Sequence, residues 1–384
     1  MRIVFLSNYF NHHQKPLSDA LYRLADDFLF VETSQMSAER ERLGYHHPDA
    51  PYLTELDPKR PDAAVRRMIE KADVVIIGSA PNHLINNRLR QCQLTFRFSE
   101  RLFKVKCSRL GRRLRIFKQK QRNPQNKELY LLSAGAYAAG DYASCGLFKN
   151  RSFRWGYLPQ TKRYPDIAEM VKRKKPGSLL WVGRFLAWKH PEMPVMAVRA
   201  LRSRGYDCTL DMIGTGAAED EIRRLVHEYE LEDRVRLLGS VPSGEVRTYM
   251  EQAAIFVCTS DRQEGWGAVV NEAMNSGCAV IASHEVGSVP YLISDGINGM
   301  VFESGNREML EEKIMYFLDH SDERERMSCA AYRTVTELWN SDVAAERFVQ
   351  LSEALLHGDR VEDMFEDGPC SKAEVLSDLW KDRC

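Results

Sequence analysis

The chain has 384 residues, 44% hydrophobic and 28% charged, with 54 basic and 54 acidic side chains that cancel. That length suits two domains, because single cores stop growing near ~250–300 residues, and a neutral chain argues against nucleic acid as partner. The nine cysteines, from Cys92 to Cys384, are odd in number and form no C-x-x-C pair or zinc-type His/Cys spacing, which fits a reducing cytoplasm. No uncharged apolar run approaches the ~18 residues that span a bilayer, so neither a signal peptide nor a transmembrane helix is expected.

Residues 2–7 (RIVFLS) read as a buried strand that opens onto a polar loop, Asn8 to Gln14, before an amphipathic helical pattern from Lys15 and Pro16. Strand-like runs recur at 28–33 and 74–78 with a helix at 61–71 between them, so residues 1–160 read as a Rossmann-like α/β domain. Within it, residues 101–127 hold eleven Lys or Arg, among them Arg109, Arg112, Arg113, Arg115 and Lys118, and no acid. Leu102, Phe103, Val105, Leu110, Leu114, Ile116 and Phe117 are interleaved with them. Such a segment is either a solvated surface element or a basic amphipathic one that rests on an anionic membrane.

Pro159 to Gly177 reads as a linker, with 161–177 as its extent between domains. From Ser178 apolar strands alternate with helices: LLWVGR, a helix through Arg199, CTLDMIG, a helix through His227, VRLLG, a helix around Met250, AIFVCTS, a helix, and CAVIAS. Continuous apolar strands alternating with helices imply a parallel, doubly wound sheet over 178–340. A long helix over about 322–357 and an acid-rich end complete the chain, 341–384 forming a C-terminal helix and acidic tail.

Chemistry concentrates in TSDRQEGWGAVVNEAMNSGCAVIAS. A strand ends at Thr259 and Ser260, a loop carries Glu264, and Gly265-Trp266-Gly267 leads into a helix containing Glu272. The carboxyl end of such a strand faces the ligand crevice. Glycines there let backbone amides at a helix start approach an anionic or hydroxyl-rich ligand. Glu272, about one and a half turns inside the helix, can accept two hydrogen bonds from a vicinal diol such as ribose. Upstream, Arg184 and Lys189 place two cations at one crevice edge, where a diphosphate leaving group would need them. Gly214 and Gly216 mark a strand end at which the backbone turns sharply or approaches a ligand, and Gly239 to Pro242 form the next part of the rim. The G-x-G is not completed to G-x-G-x-x-G, since Glu219 stands third, which argues against a dinucleotide oxidoreductase. No D-x-D stands at a strand end to hold a divalent metal, and His12 with His13 lacks a third ligand.

These segments resemble glycosyltransferase family 4 and related nucleotide-sugar transferases. The run from Glu264 to Glu272 resembles the family's E-G-F/W-G-x-x-x-x-E frame, and WVGRFLAWKH its G-R-x-x-x-x-K-G motif with His190 in place of Gly. EVGSVPYLISDGINGMVF resembles a later family stretch, with Ser288 and Tyr291 replacing its usual Gly and Glu. The resemblance implies a GT-B architecture, two Rossmann-like doubly wound domains facing a central cleft. It implies a retaining, metal-independent hexosyltransferase that needs no cofactor beyond a nucleotide diphosphate sugar, UDP- or GDP-linked, as co-substrate. Arg184, Lys189 and Glu264 would act in catalysis, and Gly214, Gly216, Val241, Gly265, Trp266, Gly267, Ala268, Val269 and Glu272 would bind donor. The loop bearing Asn8, His12 and His13 would meet phosphate or acceptor. A histidine many relatives place after a mid-domain strand has no clear counterpart; His83, Ser99 and Glu100 are nearest. SNYFNHHQKPLSDAL and SAGAYAAGDYA resemble bacterial transferases that build surface polysaccharides, which implies a saccharide acceptor, lipid-linked, and gives the basic segment a purpose on the inner face of the membrane. A nucleotide-sugar epimerase and a non-catalytic nucleotide-sugar-binding protein are the alternatives.

Overall fold

The computed structural model describes residues 1–36, 47–60, 62–105, 108–124, 128–377 and 379–380. The chain forms two compact units, Met1–Gln160 with Leu338–Ser377, and Thr161–Glu337 with the end of the chain.

The first unit is built on a seven-stranded parallel sheet in the order β3-β2-β1-β4-β5-β6-β7. Its strands are β1 (Arg2–Ser7), β2 (Asp27–Glu32), β3 (Leu53–Glu55), β4 (Val74–Ile77), β5 (Thr95–Ser99), β6 (Leu129–Ala134) and β7 (Ser152–Trp155). The helices are α1 (Lys15–Leu24), α2 (Ala63–Lys71), α3 (Asn86–Arg90), α4 (Arg109–Arg122) and α5 (Ala138–Ser144). Local chemistry explains the ends: Asp62 caps α2 by accepting from the Ala64 and Val65 amides, and Ser108 caps α4 through Gly111. One face of the sheet buries Val4, Leu6, Val31, Val75 and Ile77 against Val65 and Ile69 of α2, each worth about 1.5–3 kcal/mol relative to exposure.

The second unit carries a six-stranded parallel sheet, β10-β9-β8-β11-β12-β13. Its strands are β8 (Lys175–Val182), β9 (Thr209–Ile213), β10 (Val235–Gly239), β11 (Ala253–Cys258), β12 (Ala279–Ser283) and β13 (Met300–Phe302). Among its helices are α6 (Ile167–Lys172), α7 (Glu192–Ser203), α8 (Glu219–Glu228), α9 (Ser243–Gln252), α10 (Ala268–Asn275), α11 (Val289–Leu292), α12 (Arg307–Asp319) and α13 (Ser321–Arg333). β11 is buried along its whole length, as a central parallel strand covered on both faces must be.

Two expectations change. The stretch expected as a linker is ordered within the second unit: α6 occupies part of it, the Lys162 amide donates to Asn275 Oδ1 at 2.8 Å, and the Tyr164 amide donates to the Tyr332 hydroxyl at 2.9 Å. The long terminal helix is broken. α13 ends in a π turn over Thr334–Leu338, Trp339 is buried, and Asn340 caps a new helix, Ser341–His357, by accepting from the Asp342 and Val343 amides. That last helix packs on α1 in the first unit, and beyond Gly358, left-handed at φ 80°, the tail pairs with β7 through Arg154 and Ser371 (2.7 Å).

Candidate functional site

In the second sheet β8 lies between β9 and β11, so the chain reverses its winding direction between β8 and β11. Ligands of doubly wound sheets bind outside the carboxyl ends at such a switch point. The loops leaving β8 and β11 carry the sequence's two charge clusters, and the structure joins them. Lys189 Nζ is 2.6 Å from Glu264 Oε2, both side chains mostly enclosed, and the Ser260 hydroxyl approaches the same oxygen at 3.4 Å. Arg184, on the β8 loop, is exposed and has no ion pair among the described residues. One cation is thus held against an acid and another is open to an incoming anion.

A network that no local motif announces helps set the Lys189 turn. The Trp181 indole N–H donates to Thr259 Oγ1 at 3.0 Å, and that hydroxyl lies 2.7 Å from the Lys189 carbonyl oxygen and 3.1 Å from that of His190. The Asp261 amide donates to the Trp188 carbonyl at 2.9 Å. Thr259, Trp181 and Asp261 look like an ordinary strand end and loop in the sequence; only contacts between residues about seventy apart reveal them.

The glycines act on the protein's own backbone. A β-carbon on Gly214 (φ 134°) would stand 1.9 Å from the Gly183 carbonyl oxygen, and one on Gly216 would stand 2.6 Å from that of Phe185. Of the two readings of this strand end, a sharp turn or a ligand approach, the packing accounts for the first: the glycines let the β9 loop pack on the β8 loop, where Phe185 N–H donates to Thr215 O at 2.9 Å. Val241 follows β10 and is half-buried, while Gly239, with φ 68°, accepts from the Gly214 amide at 2.7 Å.

Gly265 and Gly267 are buried, and Gly267 takes φ 85° at the start of α10, whose first residues are Ala268 and Val269. Trp266 belongs to the core: its side chain is 1% exposed and its indole N–H donates to Asn271 Oδ1 at 2.9 Å. Ser288 and Tyr291 are buried too, the Ser288 amide donating to the Trp266 carbonyl at 2.9 Å. Glu272, on α10, is partly enclosed and its carboxylate makes no hydrogen bond among the described residues; burial pushes its pKa up to about 7, against the pull of Arg247. An acceptor held this way gains from any ligand that donates to it.

In the first unit the loop after β1 is tied down by Glu32, a buried acid at the end of β2 that no motif in the sequence marks. Glu32 Oε2 accepts from the Phe10 amide at 2.9 Å and lies 2.9 Å from His47 Nε2. The Asn8 carbonyl accepts from Thr33 and Ser34 at 2.8 Å each, and the His12 and His13 rings lie 4.0 Å apart. His83 Nε2 contacts the Pro58 carbonyl, Ser99 bonds Tyr142, and Glu100 pairs with Lys104. Among the described residues no group of three or more His, Cys, Asp or Glu is placed to hold a metal, and no helix is long and apolar enough to cross a membrane.

Residues 164–334 match the model of the family described as Glycosyl transferases group 1. The alpha-D-kanosaminyltransferase of Streptomyces kanamyceticus is 31% identical over 150 residues, 39% of this chain and 38% of that protein. The amylovoran biosynthesis glycosyltransferase AmsK of Erwinia amylovora is 26% identical over 186 residues, 47% of this chain and 46% of that one. The matched segments thus span less than half of these relatives' own lengths. Anabaena Alr3699/HepE, crystallised with UDP, superposes with a TM-score of 0.67 over 92% of this chain and 100% of that one at 15% identity. The fold is GT-B, two Rossmann-like parallel-sheet domains, and the stretch that matches the group 1 family model lies within its second unit.

Proposed function

We propose that the protein is a retaining, metal-independent hexosyltransferase that moves a sugar from a UDP- or GDP-sugar to a saccharide acceptor, lipid-linked, in surface polysaccharide synthesis. The observation that carries this is the Lys189–Glu264 pair at the switch point of a group 1 domain, with an open cation, Arg184, on the same loop. Arg184 and Lys189 meet the charge on the diphosphate, Glu264 accepts from the transferred sugar, and Glu272 accepts from the ribose diol. In the transfer, the bond from C1 to the phosphate oxygen breaks, its electron pair leaves with the nucleotide diphosphate, and the acceptor oxygen bonds to C1. The acceptor's proton passes to the departing phosphate. Cations fixed beside that phosphate stabilise charge as it develops. The test is release of nucleotide diphosphate from a panel of nucleotide sugars in EDTA, with saccharide acceptors. Turnover by wild type that is lost in Lys189→Ala supports the reading; dependence on added metal contradicts its metal-independent part.

The acceptor's anchoring is supported by α4. No residue of this helix is buried, and Leu110, Leu114 and Phe117 are 68%, 55% and 59% exposed at a spacing that aligns them along one side. Basic residues surround them with no acid to offset them. That combination suits an anionic bilayer, each surface cation adding about 1 kcal/mol. Sedimentation with phosphatidylglycerol vesicles, lost in Leu110→Ser/Leu114→Ser/Phe117→Ser without a change in Tm, is the expected result; equal binding to neutral vesicles would contradict it.

A further inference from the structure

The turn that presents Lys189 ends on a residue unusual for its backbone. His190 has φ 47° and ψ 54°, a left-handed conformation that glycine occupies freely and side chains disfavour. Its imidazole is flanked by two carboxylates, Nδ1 lying 3.1 Å from Glu192 Oε1 at the start of α7, and Nε2 lying 3.8 Å from Asp261 Oδ2, an ion-pair distance. Asp261 also holds the Trp188 carbonyl through its own amide. It therefore grips the turn on both sides of Lys189, and three residues later its loop supplies Glu264. A carboxylate at each ring nitrogen favours the doubly protonated imidazolium; Asp261, then Glu192, hold its pKa up at about 9.

We propose that His190 is a positioning residue of the donor site, its imidazolium tying the turn that presents Lys189 to the Asp261–Glu264 loop. This rests on the donor-site reading of Lys189 and Glu264. The charged groups around the ring are Glu192 from α7, Asp261 and beyond it Glu264 from the loop after β11, and Lys189 on its own turn. When His190 loses its proton, Glu192 and Asp261 keep their charges without the cation between them, and the turn keeps only its bonds to Thr259 and to the Asp261 amide.

His190→Gly is the variant least prone to misfold, since glycine adopts this backbone without strain; His190→Asn keeps a polar, uncharged side chain that tolerates it. In protein without donor, the rate at which an amine-reactive ester modifies Lys189, followed by peptide mass spectrometry at neutral pH, is expected to rise several-fold in both variants. With nucleotide sugar, kcat/KM is expected to fall about tenfold, the loss lying in kcat. Wild-type activity should decline as pH rises through about 9, and this limb should vanish in His190→Gly and move to lower pH in Asp261→Asn. Unchanged Lys189 labelling, or a limb near pH 9 that persists in His190→Gly, overturns the proposal. A wild type that turns over no nucleotide sugar, with labelling still raised in the variants, would sink the transferase reading and leave the clamp standing.

Discussion

The two sheets share a parallel, doubly wound plan, yet their carboxyl-end rims are built differently. In the second unit the rim loops are stitched to one another by backbone: Phe185 to Thr215, Gly214 to Gly239, Gly287 to Glu264, with glycines where a β-carbon would collide. In the first unit the loop after β1 is bonded by backbone only where it leaves the strand, Asn8 accepting from Thr33 and Ser34; farther on it leans on a buried side chain, Glu32, and on aromatic packing, Phe10 against Phe30 at 4.7 Å between ring centres. A rim of interlocked backbone holds charges in fixed places, as electrostatic catalysis needs. A loop whose outer part leans on side chains accommodates variation, as the proposed acceptor recognition needs.

The sharpest way to break this comparison is to remove one polar side chain from each rim. Glu264→Ala or Lys189→Ala is expected to lower kcat about 100- to 1,000-fold. His12→Ala or His13→Ala should cost about tenfold or less and act on the acceptor KM. Equal losses in kcat from both rims would contradict it. Next comes backbone packing. Gly214→Ala places a β-carbon 1.9 Å from a carbonyl oxygen and should destabilise by about 3 kcal/mol. Gly146→Ala, at φ +73° with open space around it, should cost about 1 kcal/mol. Urea titrations of the two variants would measure the difference.

Glu272 gives a smaller, pH-dependent effect. Its folded pKa is raised from the model-compound value of 4.5 to about 7, so between those values the folded state holds more proton than the unfolded one. Stability therefore falls as pH rises through that window. Glu272→Gln is expected to be more stable than wild type at pH 8, on the order of 1 to 3 kcal/mol, and to lose that advantage below about pH 4.5. With Glu272 proposed as the acceptor for a ribose diol, wild-type affinity for nucleotide diphosphate is expected to strengthen as pH rises through about 7. Calorimetric titrations at several pH values, showing instead a flat affinity, would remove Glu272 from the ribose.

Much of the second unit is legible in the sequence because its strands are unbroken apolar runs such as AIFVC and CAVIAS, and because the frame from Glu264 to Glu272 is local. What joins Lys189 to Glu264 is not local: Trp181, Thr259 and Asp261 acquire their roles only when β8 and β11 lie side by side. Gly214 and Gly216 show the same limit, since a G-x-G at a strand end looks alike whether it admits a ligand or another loop. In the first unit the short strands β3 and β7 lack a long apolar run, and the tail's return to β7 rests on backbone bonds from Arg154 that carry no sequence signal. The break before the last helix was written in Asn340, a capping residue that the apolar pattern on either side obscured.

The most direct measurement is thermal unfolding in EDTA with UDP, GDP, ADP and CMP and their sugars, on wild type and Glu272→Ala. A nucleotide present at a hundred times its dissociation constant should add about 2.7 kcal/mol to stability. One nucleotide diphosphate and its sugar are expected to raise the wild-type Tm and leave that of Glu272→Ala unmoved. A panel in which none shifts the wild type, or in which the variant responds equally, would contradict a donor site at the rim of the second sheet.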